Sequence, residues 1–281
     1  MKRRFSYENG STCFLVATPI GNLGDFSSRA IEVLNSVSYI ACEDTRTSSA
    51  LLSRFNIKKP LISYHEHNEQ ECSSKLISLL KEGNSIAIIS DAGYPGISDP
   101  GNIIVNHCIE ENIPVSVIPG ANAFLPALIA SGMENDHFYF HGFLPSKPSH
   151  RKKELESLVN IPVTLIFYES PHRIIETLND FNTYFNGRKI CLARELTKKF
   201  EEFIYGTTDE LINLDPSTLK GEMVVIIEGK QDNNQLNEDE LIELLKKEIQ
   251  NGSSLKDASK IVSKNTGVKK NILYDLALKL K

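Results

Sequence analysis

The sequence predicts an α/β protein built as two α/β domains followed by a small helical, helix-turn-helix-like appendage. Three observations carry that prediction. Between residues 13 and 118, short apolar runs of strand length alternate with helical patterns, which implies a mostly parallel sheet covered on both faces. Between 138 and 228, five further apolar runs come with only three helical patterns, as a mixed sheet requires. Beyond a polar linker at 231–235, apolar residues recur only at helical spacing. The predicted segments are 1–124, 125–232 and 233–281. The 281 residues suit two domains of ordinary size, and 41% hydrophobic residues suffice for proper cores.

The first apolar run, 13–17, ends at a turn, 18–24. Ser27 or Ser28 then caps a helix whose buried stripe is Ala30, Ile31 and Leu34. A strand at 37–41, a helix at 47–55, a strand at 61–64, a helix at 72–81 and a strand at 86–89 follow. The segment 89–101, ISDAGYPGISDPG, packs three glycines, two prolines and two aspartates into one stretch that neither helix nor ladder accommodates. A loop of that kind at a strand end is where α/β proteins hold small molecules. A tight structural turn is the alternative for an isolated DAG or DPG, and the length of this one favours a ligand. A helix at 101–111 and a strand at 115–118 lead to a further turn of small residues, PGANA at 119–123.

In the second segment the strands are expected at 138–140, 163–168, 189–193, 202–205 and 223–228, with helices at 150–159, 172–181 and 208–213. In the third, Asn237 and Glu240 form a capping box opening a helix at 241–250, with Leu241, Leu244, Leu245 and Ile249 on one face. Ser254 and Asp257 start a second helix in a looser version of the same way. Asn265-Thr266-Gly267 turns the chain into a third helix from about Lys269 to Leu280.

Composition excludes several classes. No run of about 18 uncharged apolar residues occurs, so no membrane span is expected. The basic N-terminus, MKRRFSYENGS, lacks the apolar stretch of a signal peptide. Five cysteines without a CxxC pair, mostly in apolar runs, read as buried thiols of a cytoplasmic protein. The histidines show no metal-ligand spacing, and no metal is expected. Net charge is −5, against a generic polyanion binder, yet the last thirty residues carry seven lysines and two aspartates. Lys260, Lys264, Lys269 and Lys270 cluster about the predicted turn, either as a solvated face or as a nucleic-acid contact.

Four more strand ends carry chemistry. TPIGNLGD at 18–25 has the placement of a ligand turn, but not the GK[ST] of a P-loop or the first glycine of GxGxxG. IACEDTR at 40–46 sets Glu43, Asp44 and Arg46 just past a strand, as a surface ion pair or as acid–base and anchoring groups. FYESPHR at 167–173 places Tyr168, Glu169, His172 and Arg173 between a strand and a helix. An arginine at a helix start opposes the macrodipole, so an external anion would explain Arg173. ARELTKK at 193–199 repeats the theme with Arg194 and Glu195.

Taken in order, LVATPIGNLGD, ACEDTRTS, ISDAGYPGISDPG, IPGANA, FYESPHR, ARELTKKFEE and GEMVVIIEG resemble the bacterial 16S rRNA 2′-O-ribose methyltransferases of the subunit I type, in the tetrapyrrole methylase-like superfamily. One position departs mildly: Asn122 stands where a serine is more usual. The resemblance implies two α/β domains of the class III S-adenosylmethionine methyltransferase type with the methyl donor in the cleft between them. It implies donor contacts at Pro19, Asp91, Ala92, Gly93, Ile97, Asp99, Asn122, Ala123 and Tyr168 or Glu169. It also implies a homodimer, and methylation of a cytidine ribose near the decoding centre of the small ribosomal subunit. Such a reaction needs a base for the hydroxyl proton, for which Asp44, Glu43, Glu169 and Glu195 are candidates. Arg46, Arg173 and Arg194 are candidates for RNA phosphates or for structural pairs with carboxylates. A tetrapyrrole methylase and a non-catalytic RNA-binding assembly factor are the alternatives. The basic C-terminal helices argue against the first of these.

Overall fold

A computed structural model describes residues 10–231, 238–266 and 268–280. By its internal contacts the chain forms two compact units, Met1–Gly229 and Lys230–Lys281. The first unit holds two five-stranded sheets.

The first sheet has the order β3-β2-β4-β1-β5, from β1 (Cys13–Val16), β2 (Tyr39–Cys42), β3 (Leu61–Ser63), β4 (Ile86–Ile89) and β5 (Val115–Ile118), and every pairing is parallel. Its side chains alternate between two cores. Phe14, Val16, Ile40, Cys42, Ala87 and Ile89 pack with α1 (Ser28–Ser36) and α2 (Thr45–Arg54). Cys13, Ala41, Ile86 and Ile88 pack with α3 (Glu69–Lys81) and α4 (Asn102–Glu110). Parallel strands put all their carboxyl ends on one edge, and the turn at 18–25, the EDTR segment and the long loop all lie there.

The second sheet, β6-β7-β10-β8-β9, is mixed. β6 (Phe138–Phe143) runs parallel to β7 (Thr164–Glu169), whereas β8 (Lys189–Arg194), β9 (Glu202–Thr207) and β10 (Met223–Ile227) pair antiparallel. One face carries α6 (Pro148–Leu158), α7 (Ile174–Tyr184) and α8 (Thr208–Leu211) over Leu165, Phe167, Leu192 and Val225. The other face carries α5 (Phe124–Ser131) over Ile166, Cys191, Ala193 and Val224. Ile20, from the turn after β1, enters that same core and so ties the two sheets together.

Several boundaries moved for local reasons. The strand expected at 37–41 starts at Tyr39, because Val37 closes the C-terminus of α1 through its N–H to Val33. Asp44 accepts the Arg46 N–H, so α2 begins at Thr45 and not at 47. The helix expected from Cys72 gains a turn and begins at Glu69. β6 continues to Phe143 through a bulge between Phe140 and Gly142. All five cysteines are buried free thiols.

In the second unit α9 (Glu238–Gln250), α10 (Leu255–Thr266) and α11 (Lys270–Leu278) bury Leu241, Leu245, Ala258, Val262, Leu273 and Leu276 on one another. Ser254 caps α10 by accepting the Asp257 N–H, as its spacing predicts. The expected capping box at Asn237, most of the polar linker and the glycine of the turn at 267 lie outside the described residues. Among the described residues no helix is long and apolar enough to cross a membrane.

Candidate active site

The long loop after β4 is held at both ends. Thr18 and Gly93 exchange backbone hydrogen bonds of 2.9 and 3.1 Å, which ties the loop to the turn after β1. Ser90 donates its hydroxyl to the Gly93 carbonyl, and Thr18 donates its own to the Ser90 carbonyl. Gly93 has φ +82°, a conformation that favours glycine, and any Cβ there would reach Ile20 at 3.6 Å. Farther along, the Tyr94 hydroxyl accepts the Gly120 N–H at 2.8 Å, joining the loop to the turn after β5. Glu69, at the start of α3, accepts both the Gly101 N–H and the Tyr64 hydroxyl at 2.8 Å.

A cavity of about 310 Å³ opens against this loop, at the lower end of the usual size for small-molecule sites. Its wall contains Asp91, Ala92, Gly93, Ile97, Asp99, Asn122, Ala123, Tyr168 and Glu169 of the residues the sequence singles out. Pro19 is not in the wall, although its neighbour Ile20 is. Phe143, Ser170, Leu196, Glu222, Met223 and Val224 complete the side formed by the second sheet. Sequence reasoning missed these six. β10 pairs with β7 so that Met223 lies opposite Glu169, a neighbour 54 positions away that no local pattern announces.

The first-sheet side of the cavity is acidic. Burial, and then the neighbouring carboxylates of Glu43 and Asp91, push the Asp99 carboxyl up to about 6. Asp91 is raised by burial and by Asp44, although it accepts the Asp44 N–H at 3.4 Å. Glu43, close behind them, is raised by burial and then by Asp91. Among the described residues none of the three forms an ion pair with a Lys, Arg or His side chain. The opposite wall is mostly apolar, with Tyr168 pushed up to about 12, first by burial.

Comparison with known proteins agrees with this geometry. Residues 12–212 match the family model for Tetrapyrrole (Corrin/Porphyrin) Methylases, and 236–281 match the RsmI C-terminal HTH domain. Relatives named Ribosomal RNA small subunit methyltransferase I are 47% identical in Haemophilus influenzae, covering 94% of this chain and 95% of that protein, and 42% in Bacillus subtilis, covering 98% of each. The chain belongs to that methyltransferase family. Two solved structures share the fold. The methyltransferase CobJ has a TM-score of 0.59 at 17% identity, over 78% of this chain and 94% of its own. Diphthine synthase has 0.59 at 13% identity, over 77% and 89%. As a family member the protein is an S-adenosylmethionine-dependent methyltransferase.

The cavity suits that donor. Its apolar side offers a surface for a purine, the glycine backbone at Gly93 leaves room a Cβ would fill, and Asp91 and Asp99 offer negative charge to a cation. The remaining candidates sit apart from one another. Glu169 is buried, and its two oxygens accept from the Ser170 N–H, Arg173 and Thr177. Arg173 spends its other contact on the Leu144 carbonyl. Its helix-start position thus has an internal carboxylate partner, the structural one of the two roles the sequence leaves open for it. Arg194 pairs with Glu202, and Glu195 with Lys198. Asp44 caps α2 and pairs with Arg46, which holds it down at about 2. Glu43, Asp44, Arg46, Arg173, Arg194 and Glu195 do not line the cavity.

Proposed function

We propose that the protein methylates the ribose 2′-hydroxyl of a cytidine in 16S rRNA, near the decoding centre of the small ribosomal subunit. The observation that carries the reading is the pair of cavity carboxylates, Asp91 and Asp99, free of cation partners among the described residues and facing an apolar wall, in a chain of this family. S-adenosylmethionine supplies a methyl group on a positively charged sulfur. Asp91 and Asp99 receive that charge, while Ala92, Gly93, Ile97, Asn122, Ala123 and Tyr168 enclose the rest, with Pro19 setting the path of Ile20. Methyl transfer is a displacement in which donor sulfur, carbon and acceptor oxygen stand in line, so positioning contributes on the order of 7–11 kcal/mol.

The hydroxyl must also lose its proton. Asp99 accepts it: of the carboxylates in question it alone both lines the cavity and is raised to about 6, close to the working pH. A positioned base contributes about 10²–10⁴-fold. Glu43 sits behind Asp91 and sustains the negative potential, and Glu169 and Arg173 hold the β7–α7 junction that carries Tyr168. Segments 1–124 and 125–232 form the donor cleft, and 233–281 contacts RNA through Lys260, Lys264, Lys269 and Lys270. Arg46, whose side chain is 90% exposed, is a further phosphate contact in this reading. A second copy of the chain is the expected partner, since Leu125 and Ile129 of α5 and Phe138 and Tyr139 of β6 leave apolar surface exposed. The compartment is the cytoplasm, where small ribosomal subunits are.

The test is transfer of labelled methyl from S-adenosylmethionine to small subunits purified from a strain lacking the enzyme. Nuclease digestion should recover the label as 2′-O-methylcytidine. Label confined to a tetrapyrrole, or donor binding without transfer, would end the reading.

A further inference from the structure

We infer that the exposed ring of Phe143 is the platform on which the base of the target nucleotide stacks while its ribose is presented to the cavity. This inference rests on the RNA reading above. Phe143 ends β6 and lies in the cavity wall, yet 53% of it is exposed, so its ring presents an open face at the rim of the cleft.

Its position is built by the fold. The bulge between Phe140 and Gly142 shifts the register, and Phe143 emerges beside its β7 partner Tyr168. Gly142 takes φ +78°, and a Cβ on it would stand 3.1 Å from the Ser98 hydroxyl, so the strand end lies directly against the long loop. The Tyr168 ring meets Phe143 nearly edge-on, with centroids 5.5 Å apart. Tyr168 in turn packs on Phe140 at 5.1 Å, and Phe140 on Phe124 at 4.8 Å. A row of four rings running back into the α5 face of the sheet thus fixes the outermost one.

The chemistry calls for such a surface. At about 310 Å³ the cavity has the size of a site for one small molecule, so with the donor inside it the acceptor nucleotide is expected at its mouth. A 2′-hydroxyl reaches that mouth only if its nucleotide leaves its stack, and proteins receive unstacked bases on aromatic side chains. Phe200 is more exposed, at 65%, but it does not line the cavity, and the Lys199 ammonium lies 5.5 Å from its ring centre.

The experiment compares wild type with Phe143→Ala, Phe143→Leu and Phe143→Tyr. Methylation kinetics use small subunits lacking the modification, and S-adenosylmethionine binding is read by calorimetry. Stacking predicts that kcat/KM for subunits falls about tenfold or more in the Ala and Leu variants and stays near wild type in Tyr, with donor affinity falling far less than kcat/KM in any of them. Full activity in the Leu variant shows that only apolar bulk matters and overturns the inference. Donor affinity falling in step with turnover overturns it too, by assigning Phe143 to the donor. If wild type binds donor but leaves subunits unlabelled, the RNA reading fails and takes this inference with it. If wild type labels subunits and all three variants match it, the inference alone fails.

Discussion

The two sheets both gather charged residues at or just past their strand ends, and reach opposite results. Past β7 and β8 the charges neutralise one another: Glu169 with Arg173, Arg194 with Glu202, and Glu195 with Lys198. Past β2 and β4, Glu43, Asp91 and Asp99 crowd together with no ion pair among the described residues, and each is raised by burial and by a carboxylate neighbour, Glu43 against a smaller opposing pull from His65. Paired charges hold a fold in place. Unpaired like charges cost stability, and they persist where a ligand of opposite sign completes them. The difference separates scaffold from chemistry among residues that look alike in the sequence.

The strongest way to break that contrast is Arg173→Ala. Glu169 is 2% exposed, and removing its cation leaves a buried carboxylate, which should cost about 3 kcal/mol in urea unfolding. Thr177 and the Ser170 N–H soften the loss without supplying charge. An unchanged midpoint would mean that the second sheet's pairs are not structural, and the contrast would fail.

Much of the frame was legible beforehand, because parallel strands buried on both faces read as plain apolar runs and their turns carry glycine and proline. The loop at 89–101 and the turn at 119–123 announced themselves in the same way. The fate of each charge did not. Glu169 and Glu195 look as available as Asp99 in one dimension. Whether a cation reaches them depends on how α7 and the β8–β9 loop fold back. The far wall was equally hidden, since Glu222, Met223 and Val224 arrive beside Tyr168 and Glu169 only through antiparallel pairing.

Asp99→Asn sharpens the contrast from the other side. Turnover should fall about 100-fold or more if Asp99 takes the proton. Its urea midpoint at pH 8 should hold or rise, because a mutually repelling charge is gone. A loss of stability like that of Arg173→Ala would place Asp99 among the scaffold charges.

The pH dependence of wild-type stability gives a smaller signal of the same kind. An unfolded aspartate releases its proton near pH 3.9, whereas folded Asp99 keeps it to about 6. Between those values the folded chain holds a proton that the unfolded chain has lost, so this group's contribution to stability declines as pH rises through the window and is level above it. Urea midpoints of wild type minus those of Asp99→Asn should show that decline. A difference that grows with pH would reverse the sign and remove the repulsion argument.

Arg46→Ala should have the smallest effect, and it tests the charge pair just past β2. Asp44 is held down at about 2 by Arg46, the signature of a paired carboxylate, yet the arginine side chain is 90% exposed and its bond to Asp44 is open to water. Such surface pairs contribute little to folding, so the unfolding midpoint should not move. If Arg46 meets an RNA phosphate, the variant should bind small subunits more weakly, and the slope of log affinity against log salt should shrink by about one. A moved midpoint with an unchanged slope would class Arg46 with Arg173, and charge would then be paired for structure in both sheets, leaving only Glu43, Asp91 and Asp99 to mark the site.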